Sequence, residues 1–344
     1  MDYSYGWVPS KPDFRDIIYS APLVAADALP VSVDLSADVG TPFNPVYSQQ
    51  RLGSCGPHTA AADIVFAALK QQKIASVPMP SRLFIYYCTR QLMGTLRSDS
   101  GVSNRDMLKA LARYGWCDET LHPYSDQNTG SISDPFRRIP SQTAFQSAAK
   151  RKIGLYQSVP QNLNTMLACL AGGDPFIAGF SVYSSLESKQ VEMTGIIPMP
   201  TRMDSQRGGH DVLIVGYNQT TQLFKLRNSW GTGWGQGGYG YIPFAYLTNP
   251  QLSGDFWTIT HSALPDVIPP SPIPNPSPSG GNAMNFMLQM LLNMLKGQLE
   301  KWLQDGTLQK LLEDLIKRIL DNNPKTVEEL TTQVEATWAA IQPK

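Results

Sequence analysis

Between residues 56 and 114 the apolar positions recur every three to four residues. Between 175 and 244 they fall instead into short runs rich in β-branched and aromatic side chains. The first period predicts helices over 56–72, 81–93 and 103–114, and the second predicts strands over 175–183, 210–217, 223–228 and 238–244. Helices first and strands afterwards describe an α+β fold of two subdomains with a cleft between them. No repeat of fixed period is visible.

Both patterns stop at residues 264–282, where seven prolines fall in nineteen positions. Proline at that density makes an extended spacer rather than a packed element. Beyond it, Leu288, Leu291, Leu295, Leu299, Trp302 and Leu303 form one helical stripe, and Leu308, Leu311, Leu312, Leu315 and Ile319 form another. A third runs through Val327, Leu330, Val334, Trp338 and Ile341. The chain therefore divides into a leader (1–28), a main domain (29–263), a linker (264–282) and an amphipathic helical tail (283–344). Met284, Met287, Met290 and Met294 suit either an adaptable docking surface or packing between the tail helices. The tail is expected to dock a protein partner, self-associate or lie on a membrane surface. Its uncharged stretch 283–295 is too short to span a bilayer.

Charge and cysteine usage narrow the classes further. The chain has 344 residues, 42% of them apolar and 16% charged, and 28 basic residues balance 28 acidic ones. No global field directs it to nucleic acid, and no transmembrane span is apparent. The first 30 residues lack the basic start and continuous apolar core of a secretory signal. Four cysteines without C-x-x-C spacing fit a reducing compartment. The expected location is the cytoplasm, or the exterior by export without a cleavable signal.

Cys55 lies in YSQQRLGSCGPHTAA (47–61), at the start of a predicted helix whose positive end favours a thiolate. Such a nucleophile needs a base, and the histidines are at 58, 122, 210 and 261. His210 opens the strand HDVLIVGY, and the turn NQTTQ (218–222) folds the next strand back so that Asn228 comes within about one pairing position of it. An asparagine carbonyl accepting one ring N–H would fix the tautomer and aim the other nitrogen at a thiol.

Cys, His and Asn in that order, carried by PVYSQQRLGSC (45–55), GGHDVLIVGYN (208–218) and LRNSWGTGWGQGGYG (226–240), resemble the papain-like cysteine peptidases. The segment 100–124 is a weaker match to that family's cleft-lining segment. The resemblance, over roughly residues 29–262, implies a helical subdomain, a β-barrel-like subdomain and a catalytic cleft between them. It also implies Cys55 as nucleophile, His210 as base and then acid, Asn228 as the residue orienting the imidazole, and Gln49 as oxyanion donor. Gly101 would pair with the bound peptide backbone beside Gly209, and Trp230 would shield the His–Asn bond. Peptides or proteins would be the substrates, hydrolysed through an acyl-enzyme without metal or organic cofactor. The leader, with YGWVPSKPDFRD, resembles the short leaders of some bacterial and viral members and is expected to gate the cleft.

The sequence departs from the family at named positions. Gly56-Pro57-His58 follows the nucleophile where Trp is usual, Leu52 replaces a cysteine of a usual disulfide, and Asp211 follows the histidine where Ala is common. Pointing away along the strand, Asp211 would be harmless; facing the site, it would perturb the ion pair. His58 sits on the helix of Cys55, out of Asn228's reach, and no second ligand pair accompanies it for a metal. Gly233, Gly235 and Gly238 satisfy a dinucleotide-binding pattern, but a strand-like run follows them where a helix is required. Two other functions remain open on the residues: acyl transfer by the same triad, although Asn228 stands where such enzymes use Asp, and a non-catalytic binding module acting through its tail.

Overall fold

A computed structural model describes residues 4–20, 29–39, 43, 45–71 and 77–262. The linker 264–282 and the tail 283–344 lie outside the described residues, as do residues 21–28 of the leader.

The helical part is built on α2 (Cys55–Gln71), after a short strand β1 (Ser32–Asp34) and a one-turn helix α1 (Leu35–Val39). Around it stand α3 (Arg82–Met93) and α4 (Asn104–Tyr114). Five alanines, Ala60, Ala61, Ala62, Ala67 and Ala68, are buried around α2, so the helix is covered on every side rather than along one stripe. Small side chains there let both helices and sheet approach its axis. Ser81 and Ser103 cap α3 and α4 by accepting the amides of Phe84 and Asp106, and Gly94 ends α3 in the left-handed conformation.

After α5 (Gln142–Ala148) the chain alternates strands with short helices: β2 (Ile153–Ser158), α6 (Leu163–Ala171), β3 (Phe176–Tyr183), α7 (Lys189–Thr194), β4 (Gln206–Asn218), β5 (Leu223–Arg227), β6 (Tyr239–Pro243), α8 (Phe244–Leu247) and β7 (Ser253–Ser262). The strands make one antiparallel sheet in the order β2-β7-β3-β4-β5-β6, with β1 also on β4. Here the structure corrects the barrel-like expectation. The end strands β2 and β6 do not pair with each other, so the sheet stays open. Its long strand β4 carries β3 along residues 206–214 and β1 along 216–218, with β5 on its other edge.

The three expected helices and four expected strands are present, with ends moved by a residue or so except that β4 begins four residues earlier. Strand β7 escaped the pattern because Gly254-Asp255 reads as a turn, and Asp255 does take a left-handed φ of 61°. The glycine-rich loop after Trp230 leads into β6 rather than a helix, so it cradles no pyrophosphate.

Candidate active site

Cys55 is the first residue of α2 and fully buried. The orphan amides of that 17-residue helix put partial positive charge at the sulfur, and no acidic side chain in its first turn offsets it. Across the cleft, His210 Nε2 lies 2.8 Å from Asn228 Oδ1. The Ser229 amide donates to the same oxygen at 2.8 Å, which fixes the asparagine's orientation. Nε2 must therefore carry the hydrogen, and Nδ1 is left as the basic nitrogen, buried without a partner.

The hairpin that brings them together differs from the expected register. Leu213 pairs with Arg227 below a bulge between Ile214 and Gly216. Continued, that register sets Trp230 opposite His210 and Asn228 two residues off, a diagonal neighbour still within reach. Trp230 accordingly stacks on the imidazole at 4.6 Å and 26°, with Phe180 edge-on at 5.8 Å. Both rings keep water from the His–Asn bond.

Gln49 is held between the two halves. Its Oε1 accepts from Ser229 Oγ at 2.6 Å, so Nε2 is turned towards the start of α2 and donates to Leu52 O at 3.0 Å and to Ser4 O at 2.9 Å. The second acceptor belongs to the leader. Residues 4–10 run through the cleft: Trp7 N–H donates to Gly209 O, Val102 N–H to Gly6 O, and Val8 N–H to Val102 O. Gly101 donates its own amide to Tyr86 Oη, so the backbone pairing falls to Val102. Gly101 instead permits close approach, since a Cβ there would meet Gly6 O at 2.1 Å. Tyr5 packs edge-on against His210 and Trp230 and donates to Glu187 Oε1 at 2.6 Å. Trp7 lies on Gly179 and Gly209, where a Cβ at either position would fall within 2.7 Å of it.

Asp255 was not singled out by the sequence. Its Oδ2 accepts from Trp7 Nε1, Ser10 N, Ser10 Oγ and the first amide of α4, Asn104 N. One carboxylate thus ties the leader to a helix N-terminus. An acidic residue beside a glycine just before an aromatic strand was its one sequence signal.

With the leader in place the site is uncharged. Burial holds His210 down to about 4, partly offset by the Asn228 bond. Burial also pushes the Cys55 thiol well up, the nearby Asp211 carboxyl adding to it, while the Gly6 and Gly56 amides lean the other way. His58 is equally buried, but its Nδ1 contacts Ser54 O at 2.8 Å and its ring meets the edge of Tyr124, away from Asn228. All four cysteines are free.

A helix-borne thiol, a histidine on a facing strand and an asparagine that sets its tautomer define a thiol hydrolase. Residues 29–249 match the papain family of cysteine proteases, and the chain belongs to that family. It is 33% identical over 278 residues to an uncharacterized peptidase C1-like protein of Acanthamoeba polyphaga mimivirus, covering 74% of this chain and 86% of that one. Xylellain, a cysteine protease from Xylella fastidiosa, superposes with a TM-score of 0.70 at 39% identity, over 76% of this chain and 97% of the other. Procathepsin B S9 from Trypanosoma congolense shares the fold, with a TM-score of 0.60 at 16% identity over 76% and 87% of the two chains. The protein is a cysteine peptidase that hydrolyses peptide bonds.

Proposed function

We propose that Cys55, His210, Asn228 and Gln49 carry the hydrolysis and that the leader must leave the cleft before a substrate can enter. Once it has left, the Sγ proton passes to His210 Nδ1, and the imidazolium so formed stays oriented by Asn228. The thiolate attacks the peptide carbonyl carbon, and the oxyanion rests on Gln49 Nε2 and the Cys55 amide at the start of α2. His210 then gives its proton to the leaving amine. Water, deprotonated by the same nitrogen, releases the acyl group and restores the thiol.

The observation that carries this reading is the Ser4 carbonyl. It accepts from Gln49 Nε2 at 2.9 Å, as the carbonyl of a substrate would beside the nucleophile. The same contact supports the gating role, because leader and substrate compete for one donor. Hydrolysis of a diverse peptide library by native protein and by Cys55→Ala tests the assignment. Cleavage by the native chain alone is expected, and cleavage by the variant would sink it. Partner docking or self-association through 283–344 is a separate proposal, motivated by the proline spacer. It is tested by comparing the solution mass and partners of the full chain with those of a chain ending near Pro265.

A further inference from the structure

Two departures from the family pattern, Gly56 and Asp211, meet behind the nucleophile. Alternation along β4 turns Asp211 to the face opposite His210, which is the face that α2 packs against. Asp211 is fully buried there, with Oδ2 3.9 Å from Cys55 Sγ. Gly56 leaves the room: a Cβ on it would stand 3.1 Å from Oδ2 and 2.7 Å from Val102 Cγ2. Asn104 Nδ2 donates to Asp211 Oδ1 at 2.8 Å and to Asp255 O at 3.0 Å, which fixes its own orientation and leaves Oδ2 for the sulfur. Thr59 Oγ1 holds the Asp211 carbonyl at 3.2 Å. In this structure the Cys55 thiol donates to that carboxyl, not to His210.

We infer that Asp211 governs the ionisation of Cys55, keeping the thiol protonated whenever its own carboxyl is charged and releasing it when the carboxyl is neutral. The inference rests on Cys55 being the nucleophile. With Asp211 neutral, the Sγ proton moves to His210 Nδ1, and the carboxyl O–H can donate to the sulfur that results; no proton enters or leaves the site. With Asp211 ionised, a thiolate would lie beside a second negative charge in a site closed to water, and the proton stays on sulfur. The groups facing Asp211 are Cys55 from α2, Asn104 from α4 and Asp255 from β7, with His210 next to it on β4, and none supplies a fixed positive charge. Burial, the largest influence, and the Asp255 charge both raise its ionisation well above the usual carboxylate range. The switch therefore sets an alkaline limit to activity through a carboxyl rather than through the histidine.

The test is the ultraviolet absorbance of the Cys55 thiolate against pH in the full chain, taken as a difference from Cys55→Ser. It is measured for native protein, Asp211→Asn and Asp211→Ala, with kcat/KM profiles alongside. At pH values where Asp211 is neutral, native protein and both variants are expected to hold similar thiolate. Above its ionisation the native thiolate absorbance is expected to fall, about tenfold per pH unit, while both variants keep theirs and carry kcat/KM further to the alkaline side. The alanine variant keeps the measurement open should the buried amide of the other impair folding. An alkaline loss of thiolate in folded variants equal to that of the native protein, or no such loss in the native protein, would overturn the inference. Thiolate absorbance does not depend on turnover, so loss of this inference is distinguishable from loss of the nucleophile assignment, which shows as hydrolysis by Cys55→Ala.

Discussion

His58 and His210 make a controlled comparison. Both are fully buried near Cys55, and each has one ring nitrogen bonded and the other without a partner. They differ in what covers them. His58 sits inside the helical core between Tyr47 and Tyr124, which leave only if the domain unfolds. His210 is covered in part by Tyr5, a leader residue joined to the cleft by a handful of hydrogen bonds. Burial alone does not mark a catalytic histidine. What marks His210 is that part of its cover, Tyr5, comes from the leader rather than from the domain core, and that Asn228 fixes its ring with Nδ1 left without a partner.

Substitution separates the two histidines most widely. His210→Ala should lower kcat/KM by about 10⁴ or more with little change in melting temperature. His58→Ala should do the reverse, costing about 2–4 kcal/mol of stability while the folded fraction keeps its activity within about tenfold. Steady-state kinetics and thermal melts of the two variants check this. Gln49→Ala comes next: with the proposed oxyanion role, about 10²–10³ is expected to be lost from kcat and KM to be little moved, since the group would touch the oxyanion rather than substrate side chains.

Smaller effects come from the leader. A Cβ on Gly6 would meet Gly53 O at 2.0 Å, so Gly6→Val should push the segment out of the cleft of the full chain. Hydrolysis should rise about tenfold for each 1.4 kcal/mol by which closure weakens. Acid should act in the same direction. In the closed site His210 is held down to about 4, whereas a histidine in water takes its proton near about 6.5. The closed form therefore binds that proton less well than the open form, and closure is favoured above about 6.5 and lost as pH falls towards about 4. Rates of iodoacetamide capture at Cys55, corrected for its ionisation, should rise through that window in native protein and stay flat in Gly6→Val. His58, also depressed by burial, couples to global unfolding instead: its contribution to stability is present above about 6.5 and is lost on acidification, as a melt against pH would show.

The chemistry was more legible than its surroundings. Cys55, His210, Asn228 and Gln49 lie in contiguous motifs whose spacing reflects a helix start and a hairpin, both local structures. Asp211 could be read only as a departure, because the face a strand residue takes depends on a register that the bulge near Gly216 resets. The role of Val102 was not legible, and Asp255 left no more than a Gly-Asp pair ahead of an aromatic run. Each role arises where the leader crosses residues roughly 100 or 250 positions away, and no period along the chain records such a crossing. Gly56, unexplained by its neighbours in sequence, makes sense once Asp211 is seen against it.

Nucleophile and leader are tested together by comparing peptide hydrolysis by the native full chain, Gly6→Val and the double variant Gly6→Val/Cys55→Ala. Slow cleavage is expected from the first, faster cleavage from the second and none from the third. Equal rates in all three, or cleavage by the double variant, would contradict these roles.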